Sequence, residues 1–308
     1  MDIIKPKKIL FFTENYERGG GNRYLYDLAC MANKNNNEIV VYSNCFGIEP
    51  VEIGWFNELG IPCKEIAILS WGELRAKYNL RNNFLKKLIC RIIFLPSSVI
   101  IRLYQLILFL RLLKSEKPDL IVGANGGYPA GGTVNRFILA GALLKLRCYY
   151  SVVNVPSLNF WDKIRMAFWD QIIPKVSEKI IVDSKEIKKQ LNQHRFHENQ
   201  ITILYNGLKD NLPYAPRINK KVKILFFARM EEIKGIEYLI ESIKELNKDL
   251  HDKIEFHFYG DGTLAGSIKK LASAFNDNVF FYGFYEGNFQ NIFSASDIYV
   301  LPSLMEGL

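Results

Sequence analysis

The sequence predicts an α/β protein with two parallel-sheet domains. Short β-branched or aromatic runs alternate with longer helical patterns almost from end to end, the pattern of repeated βα units. Near 209–221 a segment with two prolines and little apolar content interrupts this alternation, which then starts again. At roughly 150 residues per domain, the 308 residues suffice for two domains, each able to bury a core. The expected division is an N-terminal domain over 1–208, a linker over 209–221 and a shorter C-terminal domain over 222–308.

In the first domain, strands are expected at Lys8–Thr13, Glu38–Ser43, Glu65–Leu69, Asp119–Ala124, Arg147–Val153, Lys179–Asp183 and Gln200–Tyr205. Helices are expected between them at Asn22–Asn33, at Leu74–Leu113 with a break near Pro96, and at Val134–Leu146, Asp162–Lys175 and Lys185–Asn192. Beyond the linker the series continues with Val222–Ala228, Ile236–Leu246, Lys253–Tyr259, Leu264–Phe275, Val279–Tyr282, Phe289–Ser294 and Ile298–Leu301. No short-period repeat or low-complexity tract interrupts it, so a solenoid is set aside.

Composition narrows the function classes. The chain is 49% hydrophobic and 23% charged, ordinary globular values that exclude disorder, collagen and disulfide miniproteins. Five widely spaced cysteines without a Cys-x-x-Cys point to a reducing compartment and no zinc site. The N-terminal Met1-Asp2-Ile3-Ile4-Lys5-Pro6 leads into a strand without the apolar core of a signal peptide, which places the protein in the cytoplasm. The net charge of +8 is local: from Leu74 to Ser115 there is no acid, while Arg75, Lys77, Arg81, Lys86, Lys87, Arg91, Arg102, Arg111 and Lys114 are all basic. This stretch is also very apolar, but Pro96, Arg102 and Arg111 interrupt every window of about 20 residues, so it does not read as a span. Two readings remain: a basic, apolar helix resting on an anionic membrane surface, or a buried helix pair with its charges at the rim. Nucleic acid is not an expected partner, since neither an aromatic single-strand platform nor a helix-turn-helix or zinc-finger spacing occurs.

Glycines at the first strand-to-helix turn are the first candidate site. Gly19, Gly20 and Gly21 follow the strand ending at Thr13, and backbone N–H groups there can approach a phosphate, although a tight turn explains them equally. The Gly-x-Gly-x-x-Gly spacing of a dinucleotide site is not met, and the second strand ends in Ser43-Asn44 rather than in an acid for a ribose hydroxyl. No Gly-Lys-Ser/Thr of a phosphate-binding loop occurs. In the second domain the first strand delivers Arg229, and Lys234-Gly235 follows at the mouth of a helix. A guanidinium and an ammonium five residues apart at the carboxyl end of a strand can converge on one diphosphate; each cation singly could equally be a solvated surface charge. The next strands end in Gly260-Asp261-Gly262 and Gly283, at the crevice face where parallel sheets bind ligands.

The series Tyr205-Asn206-Gly207, Arg229-x4-Lys234-Gly235, Gly260-Asp261-Gly262, Gly283 and Pro302-Ser303-x-x-Glu306-Gly307 resembles the family 4 glycosyltransferases of the GT-B fold. The resemblance covers about 175–308 well and the first domain more loosely, through Gly19–Gly21 and Val182-Asp183-Ser184. It implies two facing Rossmann-like, doubly wound domains, the first for an acceptor and the second, here incomplete, for a nucleotide sugar. It implies transfer with retention at the anomeric carbon. Arg229 and Lys234 then resemble the diphosphate clamp, Gly19, Gly20 and Gly21 the loop over the phosphates, and Glu306 with Gly307 and Leu308 the donor-sugar contact. Gly235, Gly260, Gly262, Gly283 and Ser303 complete the expected donor side. The cations and oriented N–H groups can stabilise a departing diphosphate without metal; the chain has no Asp-x-Asp, and neither a metal nor a cofactor beyond the donor itself is expected.

Two departures stand out. The family's His after the fifth strand is replaced by Asn154, which can donate a hydrogen bond but cannot act as an acid; a turn residue before Pro156 is the plainer alternative. The family's Glu-x7-Glu begins at Glu306 and its second Glu falls beyond Leu308, so the expectation is either a fragment or an incomplete natural protein. The loop Gly126-Gly127-Tyr128-Pro129-Ala130-Gly131-Gly132 precedes a helix at the crevice, and Gly127, Tyr128 and Asn154 are the candidate acceptor contacts. Tyr149-Tyr150 and Phe160-Trp161 could line an acceptor groove, with core packing as the default. His194-x-x-His197 reads as a solvated turn, His257 as a core histidine, and Asp261 and Asp297 as loop or helix caps. The expected function is a glycosyltransferase moving a sugar from a nucleotide diphosphate sugar to a glycan or lipid-linked acceptor in cell-surface polysaccharide synthesis, at the cytoplasmic face of the membrane. The alternative is a non-catalytic truncated relative acting as a binding or partner subunit; a sugar-nucleotide epimerase ranks last because it would not need the Arg229 to Glu306 series.

Overall fold

The computed structural model describes residues 6–14, 20–44, 50–70, 72, 84–129, 131–157, 159–196, 201–207, 221–246, 248–274, 278–285, 287 and 289–304. The chain divides after Gly207 into two units. The first is built on a seven-stranded parallel sheet in the order β3-β2-β1-β4-β5-β6-β7. Its strands are β1 (Lys8–Thr13), β2 (Glu38–Asn44), β3 (Cys63–Ile66), β4 (Leu120–Asn125), β5 (Arg147–Val152), β6 (Lys179–Val182) and β7 (Ile201–Ile203). The connecting helices are α1 (Gly20–Lys34), α2 (Pro50–Glu58), α3 (Phe84–Glu116), α4 (Gly132–Leu143), α5 (Phe160–Val176) and α6 (Lys185–His194).

Alternation along the strands sorts the core. Ile9 and Phe11 of β1 with Val122 and Ala124 of β4 pack against Leu25, Tyr26 and Ala29 of α1 and Phe56 of α2. Leu10, Phe12, Ile121, Cys148, Tyr150 and Val152 point the other way and pack against Phe109 of α3, Phe137 and Ile138 of α4, Met166 and Ile173 of α5 and Leu191 of α6. Both faces of the sheet are thus buried, which is why its strands read as near-continuous apolar runs. The Glu116 carboxylate, at the last residue of α3, accepts from Lys8 Nζ (3.0 Å), Lys64 Nζ (2.9 Å) and Tyr42 OH (2.6 Å), pinning the helix end to three strands. The Tyr42 hydroxyl and the two ammoniums hold that carboxyl well below the usual range, at about 2.

Three local expectations are corrected. Helix α3 runs unbroken through Pro96, and its buried residues Ile101, Gln105, Phe109 and Leu113 form an inner face beyond it. The third strand lies at Cys63–Ile66 rather than Glu65–Leu69, set by its pairing of Val41 with Cys63. An unexpected helix, α2, occupies Pro50–Glu58. No helix among the described residues is long and apolar enough to cross a membrane.

The second unit holds a four-stranded parallel sheet in the order β10-β9-β8-β11. Its strands are β8 (Val222–Phe227), β9 (Ile254–Tyr259), β10 (Val279–Gly283) and β11 (Ile298–Tyr299). A single 3₁₀ turn (Glu232–Lys234) leads into α7 (Ile236–Glu245), followed by α8 (Lys248–His251), α9 (Ala265–Ala274) and α10 (Phe289–Ser294). Phe226, Phe256 and Phe258 point to one face, where Ile236, Ile240 and Ile243 of α7 and Ile268 and Leu271 of α9 cover them. On the other face, Phe293 of α10 packs on Phe227 and Tyr299, with ring centroids 5.9 and 5.0 Å apart. The linker residues 209–220 lie outside the described residues.

Candidate functional site

Each sheet has a point where strand order reverses, and open parallel sheets bind ligands outside the carboxyl ends of the strands there. In the second unit this point lies between β8, which runs on into Arg229, and β11, which runs on into Pro302 and Ser303. Four glycines let the loops close on one another. Gly235 adopts φ +64 at the start of α7, and a Cβ there would stand 1.8 Å from the Pro302 carbonyl oxygen. Gly260 adopts φ +137 with its α-carbon against Ala228, where a Cβ would come 1.9 Å from the carbonyl oxygen. Gly262 (φ +154) lies against Met230, and the Gly260 N–H donates to the Gly283 carbonyl at 2.7 Å. Only glycine fits such close backbone approaches.

Hydrogen bonds tie these loops into one rim. Met230 N–H donates to Asp261 O (2.9 Å), Leu264 N–H to Met230 O (2.9 Å) and Leu304 N–H to Ile233 O (2.9 Å). The Glu231 carboxylate accepts from Thr263 Oγ1 (2.8 Å), and Asp261 Oδ1 accepts from the Gly262 N–H (2.8 Å). On this rim Arg229 is exposed, and Lys234 is half-buried in the 3₁₀ turn. The rim therefore offers a guanidinium, an ammonium and glycine backbone at one sheet edge, groups that can hold a diphosphate. Glu306, Gly307 and Leu308 lie outside the described residues, as does Gly19.

In the first unit the reversal lies between β1 and β4. Gly20 and Gly21 open α1 there, and a Cβ on Gly21 would lie 3.6 Å from the Gly126 α-carbon and 3.7 Å from the Val153 side chain. A Cβ on Gly127 would touch the Asn154 side chain at 3.4 Å. The helix start, the glycine loop and Asn154, which is exposed, are thus brought together. A small pocket beneath the first turn of α1 is lined by Thr13 and Ser151 of the sheet, Gly21 and Tyr24 of the helix, and Gly126 and Val153 of the loops. Ser151 Oγ is buried there without a hydrogen-bond partner, and so is Asp183 Oδ1 at the end of β6. Burial pushes the Asp183 carboxyl up to about 6.

Several residues differ from expectation. Tyr128 is not an acceptor contact: it is 1% exposed, its hydroxyl donates to Asp170 Oδ1 (2.5 Å), and Phe196 and the Arg195 guanidinium pack on its ring. Sequence proximity to the glycine loop suggested exposure, but the chain turns the ring inward. Tyr150 is core, whereas Phe160 and Trp161 are 66% and 73% exposed, their rings packing edge-on against each other. His257 lies half-buried between Glu255 and Tyr282 rather than deep in the core, and burial lowers its pKa. Asp297 accepts from the Lys223 N–H (2.8 Å), fixing the start of β8. His197 lies outside the described residues.

One residue escaped the sequence reading altogether. Glu14, directly after β1, is buried, and its Oε2 accepts from the Thr133 N–H (2.8 Å) and Oγ1 (2.5 Å), while Oε1 accepts from Ser70 Oγ (3.2 Å). A carboxylate at the N-terminus of α4 complements the helix dipole and fixes the end of the glycine loop. The contact spans 119 residues, and nothing local in the sequence announces it. Among the described residues no group of three or more His, Cys, Asp or Glu could hold a metal ion.

The two doubly wound units and their carboxyl-edge sites define the GT-B fold, and comparisons with known proteins agree. Residues 209–308 match the family model described as glycosyl transferases group 1. An uncharacterized glycosyltransferase of Methanocaldococcus jannaschii is 28% identical over 156 residues, covering 46% of this chain and 39% of that protein. The crystal structure of Anabaena Alr3699/HepE in complex with UDP superimposes with a TM-score of 0.70 at 14% identity, covering 97% of this chain and 74% of that one. That of WaaG, a glycosyltransferase involved in lipopolysaccharide biosynthesis, does so with a TM-score of 0.58 at 14% identity, covering 97% and 76%. The matches to curated relatives cover less than two thirds of those proteins' length.

Proposed function

We propose that the protein is a retaining glycosyltransferase that moves a sugar from a nucleotide diphosphate sugar to a glycan or lipid-linked acceptor in cell-surface polysaccharide synthesis. The observation that carries the reading is the second unit's rim, where Arg229 and Lys234 share one sheet edge with the close-packed Gly235, Gly260 and Gly262. In the reaction the bond from the anomeric carbon to the diphosphate oxygen breaks, and its electron pair leaves with the diphosphate. The acceptor oxygen bonds to that carbon and gives up its proton to the departing diphosphate oxygen. Arg229 and Lys234 meet the charge growing on the leaving group, with the N–H groups of the glycine turns beside them, and no metal is required. Gly127 and Asn154 form the acceptor side, and Gly20 and Gly21 belong to the loop for the donor phosphates. UDP-sugars are the first donors to test, because HepE is described in complex with UDP. The role in surface polysaccharides draws on WaaG. The basic, apolar stretch 74–115 supports a position at the cytoplasmic face of the membrane.

The test is nucleoside diphosphate release from a panel of nucleotide sugars, with Arg229→Ala alongside. The variant is expected to lose about 10²- to 10³-fold in kcat, by analogy with removal of one oxyanion-hole donor. Wild-type turnover by Arg229→Ala would sink the clamp assignment.

A further inference from the structure

We infer that Arg195 is a positioning residue for the acceptor: its buried guanidinium fastens the glycine loop that carries Gly127 to the loop after β5 that carries Asn154. The inference rests on the acceptor side proposed above and adds what holds that side in shape. Arg195 follows the last residue of α6 and is 2% exposed. Its Nη2 donates to the carbonyl of Ser157, 38 residues earlier, and its Nη1 donates to the Asp162 carbonyl (3.3 Å) and to Asp170 Oδ2 (3.2 Å). Its guanidinium carbon lies 5.6 Å from the centre of the Tyr128 ring. Tyr128 closes the circuit: its hydroxyl donates to Asp170 Oδ1, and its carbonyl accepts from the Ser157 N–H at 2.7 Å. One side chain thus reaches both loops and α5. The loops meet where a Cβ on Gly127 would stand 3.4 Å from the Asn154 Cβ.

Energetics separates this role from ordinary packing. A cation and a carboxylate withdrawn from water lose hydration that their attraction barely repays, and apolar side chains of similar volume often serve stability as well or better. The Arg195 side chain is 0% exposed and that of Asp170 15%, and Arg195 Nε has no hydrogen-bond partner among the described residues. Stability alone therefore gives no reason for a guanidinium here. What it supplies is direction, through a planar fork whose donors address fixed acceptors on separate segments. One of those acceptors is the Ser157 carbonyl, three residues after Asn154; another is Asp170, which holds the hydroxyl of Tyr128 beside Gly127. Ser157 is fixed again by its Oγ, which donates to Asp162 Oδ2 at 2.7 Å. Misplacing a bound reactant by about 1 Å can cost on the order of 10²-fold in rate. Fastened together, the two loops present the acceptor hydroxyl in one orientation. Released, they let water compete: its oxygen bonds to the anomeric carbon in the acceptor's place, and its proton goes to the departing diphosphate oxygen.

Two variants of the full chain test this. Arg195→Met/Asp170→Asn removes both charges at similar volume, and Tyr128→Phe removes only the hydroxyl that donates to Asp170. Amide hydrogen exchange needs no substrate: in the double variant, residues 126–129 and 153–157 should exchange at least about tenfold faster while β1 and β4 are unchanged. The second readout is transfer from a UDP-sugar to a panel of octyl glycosides as probe acceptors. The ratio of glycoside product to sugar lost to water should fall about 10- to 10²-fold, while total UDP release changes by less than about threefold. Tyr128→Phe should move both readouts the same way by about two- to tenfold, and it carries the test if the double variant does not fold. Unchanged exchange in the two loops would overturn the coupling. Faster exchange with an unchanged product ratio would make Arg195 a packing residue and overturn the positioning role. A wild type that cleaves no nucleotide sugar would overturn the transferase reading and the acceptor role with it, whereas the exchange result would still decide whether Arg195 couples the loops.

Discussion

Gly235 joins the start of α7 to the strand end at Pro302, and both its backbone angle and its surroundings demand glycine. At φ +64 a side chain is strained by about 1–2 kcal/mol, and the Cβ would meet a backbone carbonyl that cannot swing aside as a side chain could. Gly235→Ala should therefore lower the stability of the second unit by more than about 2 kcal/mol, read as a lower urea midpoint; an unchanged midpoint would refute the close approach. Asp183 makes the opposite prediction. Its folded pKa, about 6, lies above the unfolded value of 3.8, so its contribution is fully present below about pH 4 and is lost as pH rises through 6. Asp183→Asn should thus stabilise the protein by about 1–2 kcal/mol at pH 7.5 and change little at pH 4, as urea titrations at the two values would record. These two residues also mark what single residues reveal. Gly235 and Arg229 were legible because their spacing is local, whereas the state of Asp183 depends on burial beside Tyr24, a residue 159 positions away on α1 and one of the groups that crowd it.

At the scale of elements, what joins a strand end to a helix start decides the shape of the first unit's crevice. Glu14 is the clearest case: one carboxylate accepts from the N–H and the hydroxyl of Thr133, the second residue of α4, and so sets where the glycine loop ends. Removing it leaves a helix N-terminus without its cap and two buried donors without this partner. Glu14→Ala should cost about 1–3 kcal/mol of stability. It should also raise the acceptor KM more than it lowers kcat, because the loop and not the diphosphate clamp is displaced. A KM unchanged beside a measurable stability loss would reduce Glu14 to a structural cap. Element existence was largely legible, since apolar runs buried on both sheet faces and helices of three or more turns leave strong patterns. Helix α3 shows where the pattern misled. Proline weighs against a helix interior by about 3 kcal/mol in isolation, yet the helix continues across Pro96 into the stretch from Ile101 to Leu113 that is buried on one face. Helix α2 was missed for a related reason: Pro50-Val51-Glu52-Ile53-Gly54 is a poor helical sequence, and its place is set by packing of Phe56 on the α1 face.

At the scale of the whole molecule, the repeated βα alternation and its interruption near 209–221 made the two-sheet plan legible, because each parallel strand needs a crossover helix that shows in the sequence. The strand order was not written locally: the reversals at β1/β4 and β8/β11 arise from which long-range neighbours pair, and they alone put Gly21 beside Gly126 and Gly235 beside Pro302. The two units have separate cores, so heat should melt them as separable transitions. A nucleotide bound at the Arg229–Lys234 rim stabilises only the unit that holds it. At a free concentration 100 times Kd the gain is about 2.7 kcal/mol, a rise of several degrees for a unit of this size. UDP should therefore raise one transition and leave the other in place, and Arg229→Ala should abolish the rise. Because the charges that meet the diphosphate are side-chain cations, a chelator should leave the shift unchanged. If EDTA removed it, a divalent ion would have to bridge the diphosphate, and the metal-free clamp would be wrong; if both transitions moved together, the rim on the second unit would not be the sole nucleotide site.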